Sequence, residues 1–198
     1  IDNHAKQDGA TLGRMRWKDL DGNNIITEAD QDWIYDPTPD FSYGLNVYLE
    51  YKNFDFTMFW QGVQGVDIIS DLKKQTDIWA GLNIGFLNKG QRLLNAWSTT
   101  NPDSNIPALS LSDNNNEKRV STYWVENGSY LKLRTIQLGY NLPKSMTNRL
   151  AMQRLRFYIS AQNLLSIHSK SFTGVDPENP NYGYPIPRNI FSTCACYS

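Results

Sequence analysis

The stretch FSYGLNVYLEYKNFDFTMFWQ, residues Phe41 to Gln61, decides the fold class. Phe41, Tyr43, Leu45, Val47, Leu49 and Tyr51 fall on one parity, and Ser42, Gly44, Asn46 and Glu50 on the other, with Tyr48 the exception. After a break at Lys52-Asn53 the alternation resumes, with Phe54, Phe56, Met58 and Trp60 set against Asp55, Thr57 and Gln61. Period-two alternation marks β-strands with one apolar face. The pattern predicts strands over 41–51 and 53–61 joined by a tight turn. Strands of roughly ten residues with aromatics near both ends suit a hairpin of a transmembrane β-barrel. Tyr51 and Trp60, at the strand ends, read as membrane-interface residues.

Working outward, a third strand is expected over 129–142. Leu131 and Leu133 share one parity, whereas Ile136, Leu138, Tyr140 and Leu142 share the other. That slip near Thr135 predicts a bulge or a change of environment along the strand. A short turn, with one helical turn, is expected from Lys144 to Gln153. A fourth strand follows over 154–165, where Leu155, Phe157, Ile159 and Ala161 alternate with Arg156, Tyr158, Ser160 and Gln162. A last strand is expected over 188–197. Upstream, Leu12 to Trp17 alternates briefly and is expected to be a strand end. Two long connections remain, 62–121 and 166–187. The first contains a candidate helix from Asn88 to Trp97, with Leu93, Leu94 and Trp97 on one side. Connections that alternate short and long are the habit of bacterial barrels, with long loops outside the cell. Sandwiches join their strands more evenly. The expected class is therefore all-β, about five strands of an antiparallel transmembrane barrel. Open sheet edges are not tolerated in lipid, so five strands are expected to be part of something larger.

Composition narrows the function. The net charge of the 198 residues is -1, so no nucleic-acid partner is expected. There is no apolar run long enough for a transmembrane helix. The mean hydropathy is negative, which barrel strands also produce because they alternate. Cys194 and Cys196 lack zinc spacing and a nearby histidine, and read as incidental thiols. No G-x-S-x-G, H-E-x-x-H or P-loop motif occurs, and His4 and His168 are isolated, so no enzyme is expected.

The sharpest local motif is D-L-D-G-N-N-I-I-T-E-A-D, Asp19 to Asp30. It follows the EF-hand-type spacing of oxygen ligands for Ca2+. The candidate ligands are Asp19, Asp21, Asn23, the Ile25 carbonyl, Thr27 (acting through water) and Asp30. Asn24 stands where glycine is usual, and Asp30 where glutamate is usual. An acidic Asx-turn loop without metal is the alternative. Trp79, Trp97, Trp124, Tyr182 and Tyr184 lie outside the expected strands. Such aromatics stack on sugar rings or pack loops together, and they are the candidate substrate contacts.

Six spaced segments carry a resemblance. They are R-W-K-D-L-D-G-N-N-I-I-T-E-A-D (Arg16 to Asp30), P-T-P-D-F-S-Y-G-L-N (Pro37 to Asn46), F-W-Q-G-V-Q-G (Phe59 to Gly65), W-V-E-N-G-S-Y-L-K-L-R-T-I-Q-L-G-Y-N-L-P (Trp124 to Pro143), L-R-F-Y-I-S-A-Q-N-L-L (Leu155 to Leu165) and Y-G-Y-P-I-P-R (Tyr182 to Arg188). In this order they resemble the C-terminal part of SusC/RagA-like TonB-dependent outer-membrane transporters of Bacteroidota. The resemblance implies a barrel of about 22 strands with an N-terminal plug. It implies location in outer-membrane lipid, energy from the TonB complex through the N-terminal region, and a SusD-like surface lipoprotein as a lid. It implies oligosaccharide cargo, sometimes peptide. The plug would lie N-terminal to this chain, so the chain alone is expected not to transport. Family members usually end in a terminal aromatic; here Tyr197 is followed by Ser198.

Two other classes fit parts of the pattern. A soluble extracellular carbohydrate-binding β-domain with a calcium loop would bury the apolar face of 41–61 in a core. A glycosidase would need a carboxylate pair roughly 5–9 Å apart, and no motif nominates one.

Overall fold

The computed structural model describes residues 4–77, 90–179 and 186–197. The chain forms two compact units. One draws on Asp36–Ile68, Asn127–Asn179 and Gly183–Ser198, the other on Ile1–Tyr35, Ile69–Glu126 and Pro180–Tyr182.

The first unit is a five-stranded antiparallel sheet. Its strands are β1 (Phe41–Tyr51), β2 (Phe54–Gln64), β5 (Tyr130–Asn141), β6 (Arg154–His168) and β7 (Asn189–Tyr197), in that spatial order. Two short strands, β3 (Asp67–Ile69) and β4 (Val125–Asn127), form a separate ribbon. The expected strand over 41–51 is present with those bounds, and the others differ from expectation by at most three residues at an end. At the β1–β2 turn Lys52 takes a left-handed φ of 54°.

Register explains the phase slip. Trp60 of β2 faces Leu133, but Phe59 faces Thr135, so Arg134 is an extra residue. The expected bulge is therefore real, and it keeps the apolar residues on one face. β6 answers with Asn163 in the left-handed region, φ 52°, beside the same irregularity. Across four strands Tyr51, Phe54, Tyr140 and Phe157 line up as one aromatic row, with the Phe54 and Tyr140 rings 4.7 Å apart. Further along, Leu49, Phe56, Leu138 and Ile159 form the next row. This face is exposed: Leu49 is 60% accessible, Tyr51 70% and Ile190 72%. A soluble sheet buries such a face, because a large exposed apolar patch marks contact with something else. Strands of about ten residues tilted by about 45° cross a bilayer core.

The opposite face is polar and ion-paired. Arg156 grips Asp55 through Nε at 3.1 Å and Nη2 at 2.5 Å, and Asn141 Nδ2 donates to the same carboxylate at 3.3 Å. Apolar outside and paired charges inside is the section of a barrel wall. On the apolar face Gly62 sits opposite Tyr43, and its absent side chain makes the room: an added Cβ would lie 2.1 Å from the tyrosine ring.

The second unit has little regular structure. It holds α1 (Asp71–Asp77) and short 3-10 turns at Glu28–Asp30, Gln91–Asn95 and Thr122–Trp124. Its centre is Trp124, fully buried against Met15, Ile69 and Tyr123. Glu117, also buried, accepts from Arg14 Nε at 2.9 Å, Met15 N at 2.8 Å and Asn115 Nδ2 at 3.0 Å. These bonds tie the N-terminal segment to residues 112–124. They also explain why the expected strand end at Leu12 to Trp17 does not form. The backbone turns at Gly13, and its polar groups are taken by side chains rather than by a neighbouring strand.

The expected helix from Asn88 to Trp97 shrinks to the 3-10 turn Gln91–Asn95, with residues 88 and 89 outside the described region. Leu93 is buried, while Leu94 is 87% exposed. With three residues per turn, adjacent leucines no longer share a side. After Pro143 the chain makes α2 (Lys144–Thr147), the single helical turn expected there.

Candidate functional site

Three arrangements can carry function. The first is the loop from Asp19 to Asp30. Its conformation is set by its own side chains. Asp19 accepts from Gly22 N at 2.7 Å and from Asn24 N at 2.8 Å, and Asn23 Oδ1 accepts from Ile25 N at 2.7 Å. Asn24 adopts a φ of 60°, the left-handed turn that glycine usually supplies and asparagine tolerates. Lys6 then pairs with Ile25 as an isolated parallel bridge. Carboxylate oxygens of Asp19, Asp21 and Asp30 all lie within 4.8 Å of one another. Hydrogen bonds from Thr27 N and then Leu20 N hold the Asp30 carboxyl below its usual range, so it stays ionised. Three carboxylates so close repel unless a cation sits among them, and oxygen-only donors suit a hard divalent ion. The Thr27 hydroxyl accepts from Ala29 N at 3.2 Å and caps the 3-10 turn.

The second arrangement is a cavity of about 1210 Å³ in the same unit, lined by residues drawn from the segments 13–34 and 97–123. Trp17, Trp33 and Trp97 are in its wall, together with Arg16 and Arg119. Trp97, a predicted contact, thus reaches a cavity. Trp124 does not: it is fully buried, its Nε1 donates to the Arg119 carbonyl at 3.0 Å, and its place is the core. Trp79, Tyr182 and Tyr184 lie outside the described residues. Sequence reasoning missed Trp17 and Trp33. The first was absorbed into an expected strand, and the second sits in a loop that was read for its acids alone.

The third arrangement joins the polar face of the sheet to the segment after β6. Lys132, only 2% exposed, places Nζ 2.6 Å from Asp176 and 2.7 Å from Glu178. Glu178 also accepts from Tyr130 OH at 2.8 Å and pairs with Arg134. Burial pushes both acids up, but the hydrogen bonds from Lys132 and its neighbours outweigh it, and both end below their usual range. Nothing in the local sequence signals this cluster, whose partners lie far apart along the chain.

Of the predicted interface residues, Tyr51 belongs to the aromatic row at the turn end. Trp60 lies further in, between Leu45 and Leu133.

No protein-family model matches the chain. Among curated proteins it is similar to TonB-dependent receptor P3 of Formosa agariphila, 39% identical over 166 residues, 84% of this chain and 15% of that protein. It is also similar to TonB-dependent receptor SusC of Bacteroides thetaiotaomicron, 31% identical over 81% of this chain and 15% of that protein. Among solved structures it resembles a chain of the RagAB peptide importer in its open-open state, with a TM-score of 0.70 and 23% identity, over 96% of this chain and 21% of that one. The chain thus spans 15% of the length of each of these two curated relatives. These relatives are receptors, not enzymes. The wall-like sheet, the order of its strands and four fifths or more of the sequence agree: the chain belongs to the SusC/RagA-like TonB-dependent receptors, and its sheet is part of their barrel.

Proposed function

We propose that the chain supplies wall and extracellular loops to a TonB-dependent importer of the outer membrane. The importer takes up oligosaccharides or peptides and works with a SusD-like surface lipoprotein. The single observation that carries this is the sheet's two-sidedness, with an exposed apolar face and an ion-paired polar face. A lipid-facing wall needs the first, and a lumen that passes polar cargo tolerates the second. The similarity to SusC and to the RagAB importer supports both the transport reading and the lipoprotein partner. The plug and the contact with TonB belong to the rest of the receptor, so this segment by itself does not transport.

In this reading residues 62–121 and 166–187 are extracellular, and Tyr51, at the turn end of β1, meets the lipid interface, whereas Trp60 lies deeper in the wall. Ca2+ is held by Asp19, Asp21, Asn23, the Ile25 carbonyl and Asp30, with Thr27 through water. The ion would remove the repulsion among the three carboxylates and stiffen the loop ahead of β1. The test is uptake and pull-down in the native host. Deleting the receptor that carries this segment should abolish uptake of its cargo to the same extent as deleting TonB, and an affinity tag should retain a surface lipoprotein. Uptake that is indifferent to TonB contradicts the proposal.

A further inference from the structure

The tryptophan-lined cavity of the loop unit has a chemistry that narrows the cargo. Three indoles reach one space of about 1210 Å³. Trp97 is held by the backbone beneath it: an added Cβ at Gly13 would lie 2.2 Å from the indole ring. Trp17 carries the Arg119 guanidinium at 4.1 Å from its ring centroid, which fixes that charge at the wall. Trp33 is 83% exposed, and no ring contact or side-chain hydrogen bond engages its indole among the described residues. Indole rings in the wall of an open cavity suit a ligand with flat C–H faces, as sugar rings have.

The charges of the wall are unequal. Arg16, Lys18 and Arg119 all line the cavity, and none forms an ion pair among the described residues. Of the two acids in the wall, Asp30 is engaged by the backbone N–H groups of Leu20 and Thr27, and Asp32 by that of Trp33. Arg16, Lys18 and Arg119 therefore outnumber the two carboxylates, whose oxygens are partly taken up by the backbone, and the wall keeps an excess of positive charge and of donors. Such a wall favours an acceptor-rich anion. An extended peptide would instead seek a strand edge for its backbone, and no strand lines this cavity.

We infer that this cavity is a cargo site for an acidic oligosaccharide, with Trp33 and Trp97 stacking on sugar rings and Arg16 and Arg119 meeting the carboxylates. The assignment rests on the importer reading and deepens it. The test is calorimetric titration of the purified receptor that carries this segment. The probes are a short oligogalacturonate, a malto-oligosaccharide of equal length and a short polyglutamate. The uronate should bind more tightly than the neutral sugar by about tenfold or more, and its affinity should fall as salt rises. Arg119→Gln and Trp33→Ala should each weaken uronate binding by about tenfold. Trp33 is exposed, so its variant keeps the fold. Equal binding of the two sugars, preference for polyglutamate, absence of binding, or indifference to both variants overturns the assignment. Retention of the surface lipoprotein is measured on the same preparation. A receptor that keeps its lipoprotein yet ignores uronate overturns the cavity assignment alone, and a receptor without one overturns the importer reading.

Discussion

Lys132 and Asp176, 44 residues apart in sequence, form a 2.6 Å ion pair on the polar face of the sheet. The lysine comes from β5 and the carboxylate from the segment after β6. With Glu178 as second acceptor, the pair straps a connection to the wall. Removing one member of a buried pair leaves the other uncompensated, which costs about 3–5 kcal/mol. Lys132→Met should therefore loosen the 169–179 segment. Limited proteolysis in detergent reads this directly: cleavage there should rise sharply while the strands stay protected.

The same strap sets a pH dependence. Asp176 and Glu178 have lowered values in the folded state, so their contribution is full above the ordinary carboxylate range. It is lost as pH falls through the lowered folded-state values. Protease protection of 169–179 should accordingly hold at neutral pH and fail only in strong acid, and in Lys132→Met it should be weak throughout.

Gly62 and Tyr43 make a cross-strand pair in which the ring covers the glycine. An aromatic ring laid over a glycine in this way compensates for the missing side chain. Gly62→Val should expel the ring and lower stability by about 1–3 kcal/mol. The heat needed to unfold the barrel on a gel checks this, and Tyr43→Ala should cost less than Gly62→Val.

The strands were legible because an apolar face and a charged face write a two-residue period directly into the sequence, from Phe41 through Gln61 and again from Leu155 through Gln162. Even the bulge at Arg134 showed, as a change of parity between Leu133 and Ile136. The loops were less legible. Their order depends on contacts such as Arg14 with Glu117 and Lys132 with Asp176, which no local period records. Trp124 illustrates the ambiguity, since a loop tryptophan can stack on a ligand or fill a core, and here it fills the core. The convergence of Asp19, Asp21 and Asp30 was legible, because spacing within one loop is a local property.

That convergence leads to a prediction about metal. If Ca2+ holds the loop, chelation should raise its protease sensitivity, and added Ca2+ should restore it. Asp19→Ala with Asp21→Ala should mimic chelation and make the loop indifferent to further chelator. Equal cleavage of all these samples would remove the ion from the account.

The central claim is that the face bearing Leu49 meets lipid and the face bearing Asn46 does not. Leu49→Cys and Asn46→Cys variants of the receptor that carries this segment, labelled with a small fluorophore in bilayers containing nitroxide-labelled lipid, measure it most directly. The account predicts strong quenching at position 49 and little at 46. Equal quenching at the two positions, or the reverse order, would contradict it.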